Sequence, residues 1–571
     1  MSGSKKHVMK NSLTYDVIVV GSGMSGGYAA KEFCEKGYKT LVLDRGEMVK
    51  HREYKTEGKS PWQMPFRGGV PEELKAEQHI QKDVYIYNDY TRHHLINDKD
   101  HPYVQKQPFI WYRSATVGGK SLIWGRQSYR WSQRDFKANK QDGHGIDWPV
   151  RYEDIAPWYD QVEPFVGISG SYENLAELPD GKFLPAQPLN IVERDMKKKI
   201  AAKFPERHLI PARVANLTQP NKQHLELGRT QCQARSECPR GCSFGGYYSS
   251  NSGALPAAER TGNYTLKANA QVQEVLYDEC TGKASGVRYV DMHTGEKIDV
   301  FAKVVFMCAS TLASVQILLN SKSTTFPHGI GNRFDILGRY IMDHCGGGGA
   351  SGMMPGYLDD YYKGRRPGGV YIPRFRNTTT DEKAFKRGYG FQCGANRSGW
   401  QWAKKGKGIG ESFKARVAQP GNWYFTLWGF GESLPKYENR VYLHDTKKDK
   451  WGLPLLVTDV GLSDNEHAMI KDMSKTAVEM LEAAGLTNIK GFEGEAPPGG
   501  AIHEMGGACM GHKVETSYVN KWNQCHDVDN LFVTDGAAFS SVSCVNPSIT
   551  FMAFTARAVD YAVKQMNNQN V

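Results

Sequence analysis

No stretch of this 571-residue sequence approaches the roughly 20 consecutive apolar residues that a bilayer-spanning helix requires, so no transmembrane segment is expected. The segment from Met1 to Tyr15 carries Lys5, Lys6, His7 and Lys10 but lacks the apolar core of a secretory signal. The expected location is cytoplasmic, or periplasmic if a signal-bearing partner carries the chain out. No internal repeat or low-complexity block stands out, which argues against a solenoid. Basic residues outnumber acidic ones, 72 to 61, for a net charge of +11, yet the clusters Lys197–Lys199, Lys404–Lys407 and Lys447–Lys450 lack interleaved aromatics. They read as solvated faces, and nucleic acid is not an expected partner. Most of the 11 cysteines are scattered, as buried thiols in a reducing compartment would be.

What is present is ordinary for a globular protein: 40% hydrophobic and 23% charged residues, in a chain long enough for two lobes with their own cores. Tyr15–Val20 is an apolar run, and a helical pattern (Tyr28, Ala29, Phe33, Cys34) leads to a second strand at Thr40–Leu43. That is a βαβ opening. Residues 47–110 are polar, without clear period, and read as an excursion over the surface or a lid. Gln271–Val300 reads as a β-meander that feeds a separate strand at Lys303–Cys308 and a helix at Thr311–Leu319. Gly346–Gly349 and the Gly/Pro/Arg-rich Pro355–Gly369 open a second region of antiparallel strands, with one helix at Asn465–Ala484, and Leu531–Val563 returns to strand, turn and long helix. The expected class is α/β, with a discontinuous Rossmann-like dinucleotide domain (14–150, 225–345, 495–571) and a substrate domain (151–224, 346–494). The latter is a largely antiparallel β-sheet flanked by helices.

Gly21, Gly23 and Gly26 form G-x-G-x-x-G between the first strand and helix. Gly21 permits the turn, Gly23 admits a pyrophosphate to the backbone, and Gly26 lets helix and strand pack closely, with the phosphate charge against the helix N-terminus. Asp44 ends the second strand, where a carboxylate can hold a ribose hydroxyl. The motif does not separate FAD from NAD.

Cys232, Cys238 and Cys242 form C-x5-C-x3-C with no fourth cysteine nearby. The spacing alone leaves three readings open: a cluster with three thiolate ligands, zinc if His224 joins them, or structural thiols.

Val117-Gly-Gly-Lys-Ser-Leu-Ile-Trp124-Gly125, Leu337-Gly-Arg-Tyr-Ile-Met-Asp343-His344, His503-Glu-Met-Gly-Gly-Ala-Cys-Met510-Gly511, Leu531-Phe-Val-Thr-Asp535-Gly536 and Asn546-Pro-Ser-Ile-Thr550 follow in order. Together with the glycine motif they resemble the glucose–methanol–choline (GMC) flavoenzymes, in the branch of pyranose oxidase and the gluconate, glucose and glucoside 3-dehydrogenases. The resemblance is weakest over 47–110 and 350–490.

The resemblance implies FAD, with Gly118, Gly119 and Ser121 along the flavin, Asp535 and Gly536 near the ribityl–pyrophosphate portion, and Val272 at the adenine. Ile123 stands where pyranose oxidase has a flavin-linking histidine, so non-covalent FAD is expected. His503 matches the family base, a role that suits a neutral imidazole, and Asn546 matches its partner. From the residues alone, His503 also reads as a core histidine, and Asn546–Pro547 as an N-cap followed by a first-turn proline. The cysteine spacing resembles a 3Fe–4S segment of sugar dehydrogenases, which would pass electrons to a cytochrome or quinone, with a small accessory subunit as a further partner. The implied activity is oxidation of a secondary hydroxyl, C3 for instance, of a carbohydrate or glycoside. Trp400, Trp402, Trp423, Tyr424 and Trp428 then suit stacking on sugar faces, or simply a core. An oxygen-using oxidase, a non-catalytic flavoprotein and a nicotinamide enzyme are the competing readings.

Overall fold

Strand β1 (Tyr15–Val20) is buried on both faces from Val17 onward, which is why it is apolar without alternation. Helix α1 (Met24–Glu35) follows, then β2 (Thr40–Leu43), parallel to β1 in register Val17↔Thr40. The structure, a computed structural model, describes residues 15–360, 367–378, 384–397, 408–418, 421–494 and 496–571. The N-terminal lysines before Tyr15, Lys404–Lys407, Trp400, Trp402 and part of Pro355–Gly369 fall outside the described residues.

Further along, β3 (Tyr264–Lys267) pairs parallel with β2. The meander is then β4 (Ala270–Asp278), β5 (Lys283–Asp291) and β6 (Lys297–Met307). The sequence suggested a meander feeding a separate strand at Lys303–Cys308, but β6 is one continuous strand of 11 residues. Its first part pairs antiparallel with β5 (Val287↔Val300), its second parallel with β1 (Val17↔Val304). The change from half-exposed to fully buried along β6 looks in sequence like two strands, because only the second half is covered on both faces. Helix α2 (Thr311–Asn320) follows.

The second sheet is antiparallel throughout. Its strands β7 (Cys345–Met354), β8 (Val370–Ile372), β9 (Tyr389–Arg397) and β10 (Trp423–Gly431) precede helix α3 (Asp464–Ala483), and β11 (Thr487–Glu493) completes it. The order is β11-β7-β10-β9-β8, with Ile210–Pro211 at the far edge. Met469, Met473, Ala477 and Met480 of α3 share a core with Ala350, Phe425 and Leu427 of the sheet. The glycine run is what seats this helix: a Cβ on Gly348 would collide with the Ile470 carbonyl oxygen. The opposite face carries Gln392, Thr426, Trp428 and Phe430.

The chain then returns to the first sheet. Strand β12 (Leu531–Val533) pairs parallel with β6, and helix α4 (Ser548–Asn567) packs beside α1 over Val17, Val19, Phe306 and Phe532. Both ends of the chain thus build one nucleotide-type sheet. The 47–110 segment is not merely a surface excursion. Gln81 and Asp98 are buried in it, with Gln81 Nε2 donating to Asp98 (2.9 Å) and to the Trp111 carbonyl (3.0 Å). Gln81 and Asp98 satisfy each other, so polarity there does not mean exposure.

Candidate active site

The turn after β1 is built as the glycine pattern requires. Gly21 has φ +97°, and a Cβ there would collide with the Cys308 carbonyl; a Cβ on Gly26 would collide with the Gly21 carbonyl. Gly23 has open space on its Cβ side, as a position approached by a ligand should. Asp44 does more than end a strand. Its carboxylate accepts from Ser22 N (2.9 Å), Ser22 Oγ (2.5 Å) and Gly46 N (2.7 Å), so it braces the turn. Ser22 Oγ in turn accepts from Gly118 N (2.8 Å), tying the turn to the 118–121 loop. Gly118 and Gly119 both have positive φ, and Asn251 occupies the space a Gly118 side chain would need. Ser121 Oγ donates to the Gly118 carbonyl (2.5 Å) and accepts from Ser250 N (3.0 Å).

One cavity of about 1370 Å³ joins these elements. Gly21, Gly23, Asp44, Gly119, Ser121, Val272, Asp535, Gly536, His503 and Asn546 line it, as do Ile123, Cys232 and Cys238. Gly26 and Gly118 act behind the wall, and Cys242 also lies outside the lining. The volume exceeds the ~300–1,000 Å³ of an ordinary small-molecule site, leaving room for a dinucleotide and a second ligand. Asp535 is buried, which pushes its pKa up to about 6, and its oxygens accept from Ser314 Oγ (2.5 Å) and Ala537 N (3.0 Å). Gly536 leaves no space for a side chain beside Thr311 Oγ1.

His503 and Asn546 meet on the cavity wall, with Asn546 Nδ2 3.5 Å from His503 Nε2. Burial, then the neighbouring His344 and Lys120, holds the His503 pKa well below the usual imidazole value, so its ring is neutral. The loop that presents it is pinned by Asp343, whose carboxyl accepts from His503 N (3.1 Å) and Ala501 N (3.0 Å). Between them Ile502 has φ +69°, a costly conformation for a β-branched residue. Burial and the adjacent Glu504 push the Asp343 pKa up to about 7. Lys120, on the glycine loop, pairs with Glu504 at 3.0 Å.

Asn546 is one position removed from its expected place. The helix begins at Ser548 and Pro547 holds the cap position, so Asn546 precedes the cap and Pro547 is not the first helical residue. The Asn546 side chain is engaged instead by Gln392, whose Nε2 donates to Oδ1 at 2.9 Å, and by His503. Gln392, Lys120, Glu504, Asp343 and His344 were not singled out individually from the sequence. All but Gln392 lie inside segments quoted from the sequence, which was their only signal.

The cysteine trio is less convergent than its spacing suggests. Asn216 Nδ2 donates to Cys232 Sγ (3.6 Å) and Arg235 to Cys242 Sγ (3.8 Å). Among the described residues no three His, Cys, Asp or Glu side chains form a metal-holding group, so the trio as it stands does not fit a cluster. His224 is not available to zinc: its Nδ1 accepts from Asn221 N (3.1 Å) and its Nε2 bonds the Pro164 carbonyl (2.9 Å), making it a satisfied core histidine. Of the aromatics, Trp423 is core, while Tyr424 and Trp428 are partly exposed and Trp428 lines the cavity.

Residues 15–345 match the N-terminal domain described as GMC oxidoreductase, and residues 435–555 match the C-terminal one. The chain belongs to the GMC oxidoreductase family. It is similar to 2-methyl-1,2-propanediol dehydrogenase of Mycolicibacterium austroafricanum, 28% identical over 97% of this chain and 96% of that one. The fructose dehydrogenase large subunit of Gluconobacter japonicus is 26% identical, over 96% and 98%. In fold it is similar to pyridoxine 4-oxidase from Mesorbium loti, with a TM-score of 0.61 at 13% identity, covering 96% of this chain and 99% of that one. As a GMC enzyme it uses FAD and acts on CH–OH groups of sugars or alcohols. The glycine turn, the 118–121 loop and Asp535 fit that cofactor, since together they offer an open, glycine-walled trough along one cavity.

Proposed function

We propose that this GMC enzyme is a dehydrogenase oxidising a secondary hydroxyl of a sugar or glycoside, at C3 for instance, to a ketone. The observation that carries the reading is the His503–Asn546 pair, 3.5 Å apart on the wall of the cavity that the dinucleotide turn opens into. Bound FAD would supply the two-electron acceptor for the hydride leaving the carbinol carbon. Gly21, Gly23, Asp44, Gly118, Gly119, Ser121, Val272, Asp535 and Gly536 are proposed to hold it, non-covalently, because Ile123 cannot form a histidyl bond. His503 Nε2 takes the hydroxyl proton, and Asn546 Nδ2 donates to the same oxygen as negative charge develops on it. The C–H and O–H bonds break, C=O forms, and the proton rests on His503. Trp428 and Phe430, on the cavity face of β10, give an apolar wall for the C–H face of a ring. Lys120 and the N-terminal end of α4, whose Ser548 lines the cavity, place positive charge near the reaction.

Electrons then pass to an external acceptor such as a cytochrome or quinone, with a small accessory subunit as a further proposed partner. A 3Fe–4S cluster on Cys232, Cys238 and Cys242 rests on the sequence resemblance and on two of the three lining the cavity, and no step is routed through it. Iron and acid-labile sulfide analysis of anaerobically purified protein decides it: about three irons per chain would establish the cluster, and less than one would remove it.

The activity is tested by a screen of monosaccharides, glycosides and small 1,2-diols with an artificial electron acceptor, with and without oxygen. The expected result is acceptor reduction by a ring-hydroxyl substrate, without peroxide at turnover rates. Flavin bleaching by diols alone would replace the sugar reading, and peroxide at turnover rates would make the enzyme an oxidase.

A further inference from the structure

Two hydrogen-bond anchors reach the His503–Asn546 pair from opposite sides. On one side, His344 Nδ1 lies 3.1 Å from the Ser543 carbonyl oxygen. A carbonyl only accepts, so Nδ1 carries the proton and the neutral ring leaves Nε2 bare. Burial pushes the His344 pKa down to about 4, which keeps the ring neutral. Its Nε2 is buried and has no partner among the described residues. The His503 ring stands edge-to-face against it, centroids 4.9 Å apart at 83°, and His503 Nδ1 is likewise buried without a partner. On the other side, Gln392 Nε2 donates to Asn546 Oδ1 at 2.9 Å, which turns the amide hydrogens of Asn546 toward His503 Nε2.

A neutral His503 has two proton patterns. With the proton on Nδ1, that donor sits on the ring packed edge-to-face against His344, whose Nε2 is a bare acceptor, and the bare Nε2 of His503 faces the Asn546 amide hydrogens. The two packed rings then carry one donor and one acceptor, and His503 Nε2 has the Asn546 amide as its donor. With the proton on Nε2, both amides must turn over so that Asn546 presents its oxygen, and His503 Nδ1 and His344 Nε2 are both bare on two rings in contact. Two buried acceptors on touching rings would then both lack a donor. The amides can turn, but the Ser543 carbonyl cannot become a donor. It therefore decides between the patterns.

We propose that His344 and Gln392 are positioning residues that hold His503 as its Nδ1–H tautomer, with Nε2 bare toward the substrate hydroxyl. This rests on the reading of His503 as the base. When His503 accepts the substrate proton, the adjoining His344 ring offers its bare Nε2, an acceptor a buried imidazolium needs. His344, Lys120, Glu504 and Asp343 are the titratable groups around this ring, and Gln392 reaches it only through Asn546.

The direct test is the ¹⁵N spectrum of histidine-labelled, FAD-loaded, substrate-free enzyme, with His503→Ala to assign the signal. The expected result is a protonated Nδ1 and an unprotonated Nε2 on His503. A protonated Nε2 in the wild type overturns the proposal.

Gln392→Glu supplies a second readout. The ionised carboxylate of this variant only accepts, so it draws the Asn546 hydrogens away and favours the wrong tautomer. The limiting rate of flavin reduction should fall tenfold or more, bounded by the ~10⁴-fold cost of a misplaced imidazole proton in a serine-protease triad. Lowering the pH until the carboxyl is protonated makes it a donor again, and the rate should recover. His344→Phe should lower the rate with no such recovery and give mixed tautomers. A Gln392→Glu rate that instead falls further as pH is lowered contradicts the proposal, since a carboxylate that merely raised His503 basicity does that. If His503→Ala still reduces its flavin with substrate, the base reading fails, while the tautomer measurement stands apart.

Discussion

At the residue scale, Asp343 and His503 illustrate opposite effects of the same burial. The carboxyl is pushed up to about 7 and the imidazole well below its usual value, so both favour the neutral form. A depressed base pKa means that the competent, unprotonated form is present above it and lost only as pH falls through it. Flavin reduction should therefore be flat between about pH 6 and pH 8, across the ordinary imidazole range. Stopped-flow rates that drop along a single titration near the free-imidazole value, and still do so in Asp343→Asn where the carboxyl at about 7 is gone, would show that His503 is not held neutral. Asp343→Asn tests the clamp: one of the two amide hydrogens, on Ala501 or His503, loses its acceptor. An unpaired buried N–H costs about 1–3 kcal/mol, so the variant should melt lower and reduce flavin more slowly while still binding FAD. Unchanged melting and rate would mean the clamp does not hold the loop. Asn546 shows why residue roles were only partly legible. Its cap reading followed from the neighbouring proline, but its real partner, Gln392, is 154 positions away.

Elements were more legible, because periodicity and glycine placement are local. The βαβ opening, the meander and the C-terminal strand–turn–helix match the sequence expectation, and so does the antiparallel second sheet. The single strand β6 did not, since one strand that changes partners along its length carries two burial patterns. The run Gly346–Gly349 read as a boundary, yet it also lets α3 approach β7. The turn glycines separate fold from binding. Gly26→Ala should destabilise the protein, by about 1–3 kcal/mol as overpacking does, because the Gly21 carbonyl fills the space. Gly23→Ala should leave apoprotein unfolding by urea unchanged, because its Cβ meets nothing, yet weaken FAD retention. Equal FAD affinity in Gly23→Ala and wild type would show that this space is not the cofactor's.

On the scale of the whole molecule, burial depresses the pKa of a set of histidines: His51, His93, His224 and His344 to about 4, His94 to about 3, His101 to about 2, and His503 and His526 in direction. The unfolded chain takes up protons on these below its ordinary imidazole pKa while the folded chain does not. Stability is thus complete above about pH 6.5 and lost as pH falls. Asp343 and Asp535, raised to about 7 and about 6, and Asp527, raised in direction, act in the opposite sense but are fewer. The melting temperature should drop as pH is lowered from about 7 to about 5, and a rise over that range would contradict the burial of these rings. Charge and composition carried none of this, because a histidine's burial is set by contacts from distant segments. The same holds for the 47–110 segment, whose buried polar pairs form only in the fold.

In the proposed mechanism one cavity brings bound FAD and the His503–Asn546 pair to the same substrate hydroxyl. Anaerobic stopped-flow mixing of FAD-loaded His503→Ala with a substrate found in the screen tests it most directly. Normal flavin content and absorbance are expected, with a limiting reduction rate at least ~10²-fold below wild type, the lower bound for losing a general base. Reduction at the wild-type rate would contradict it.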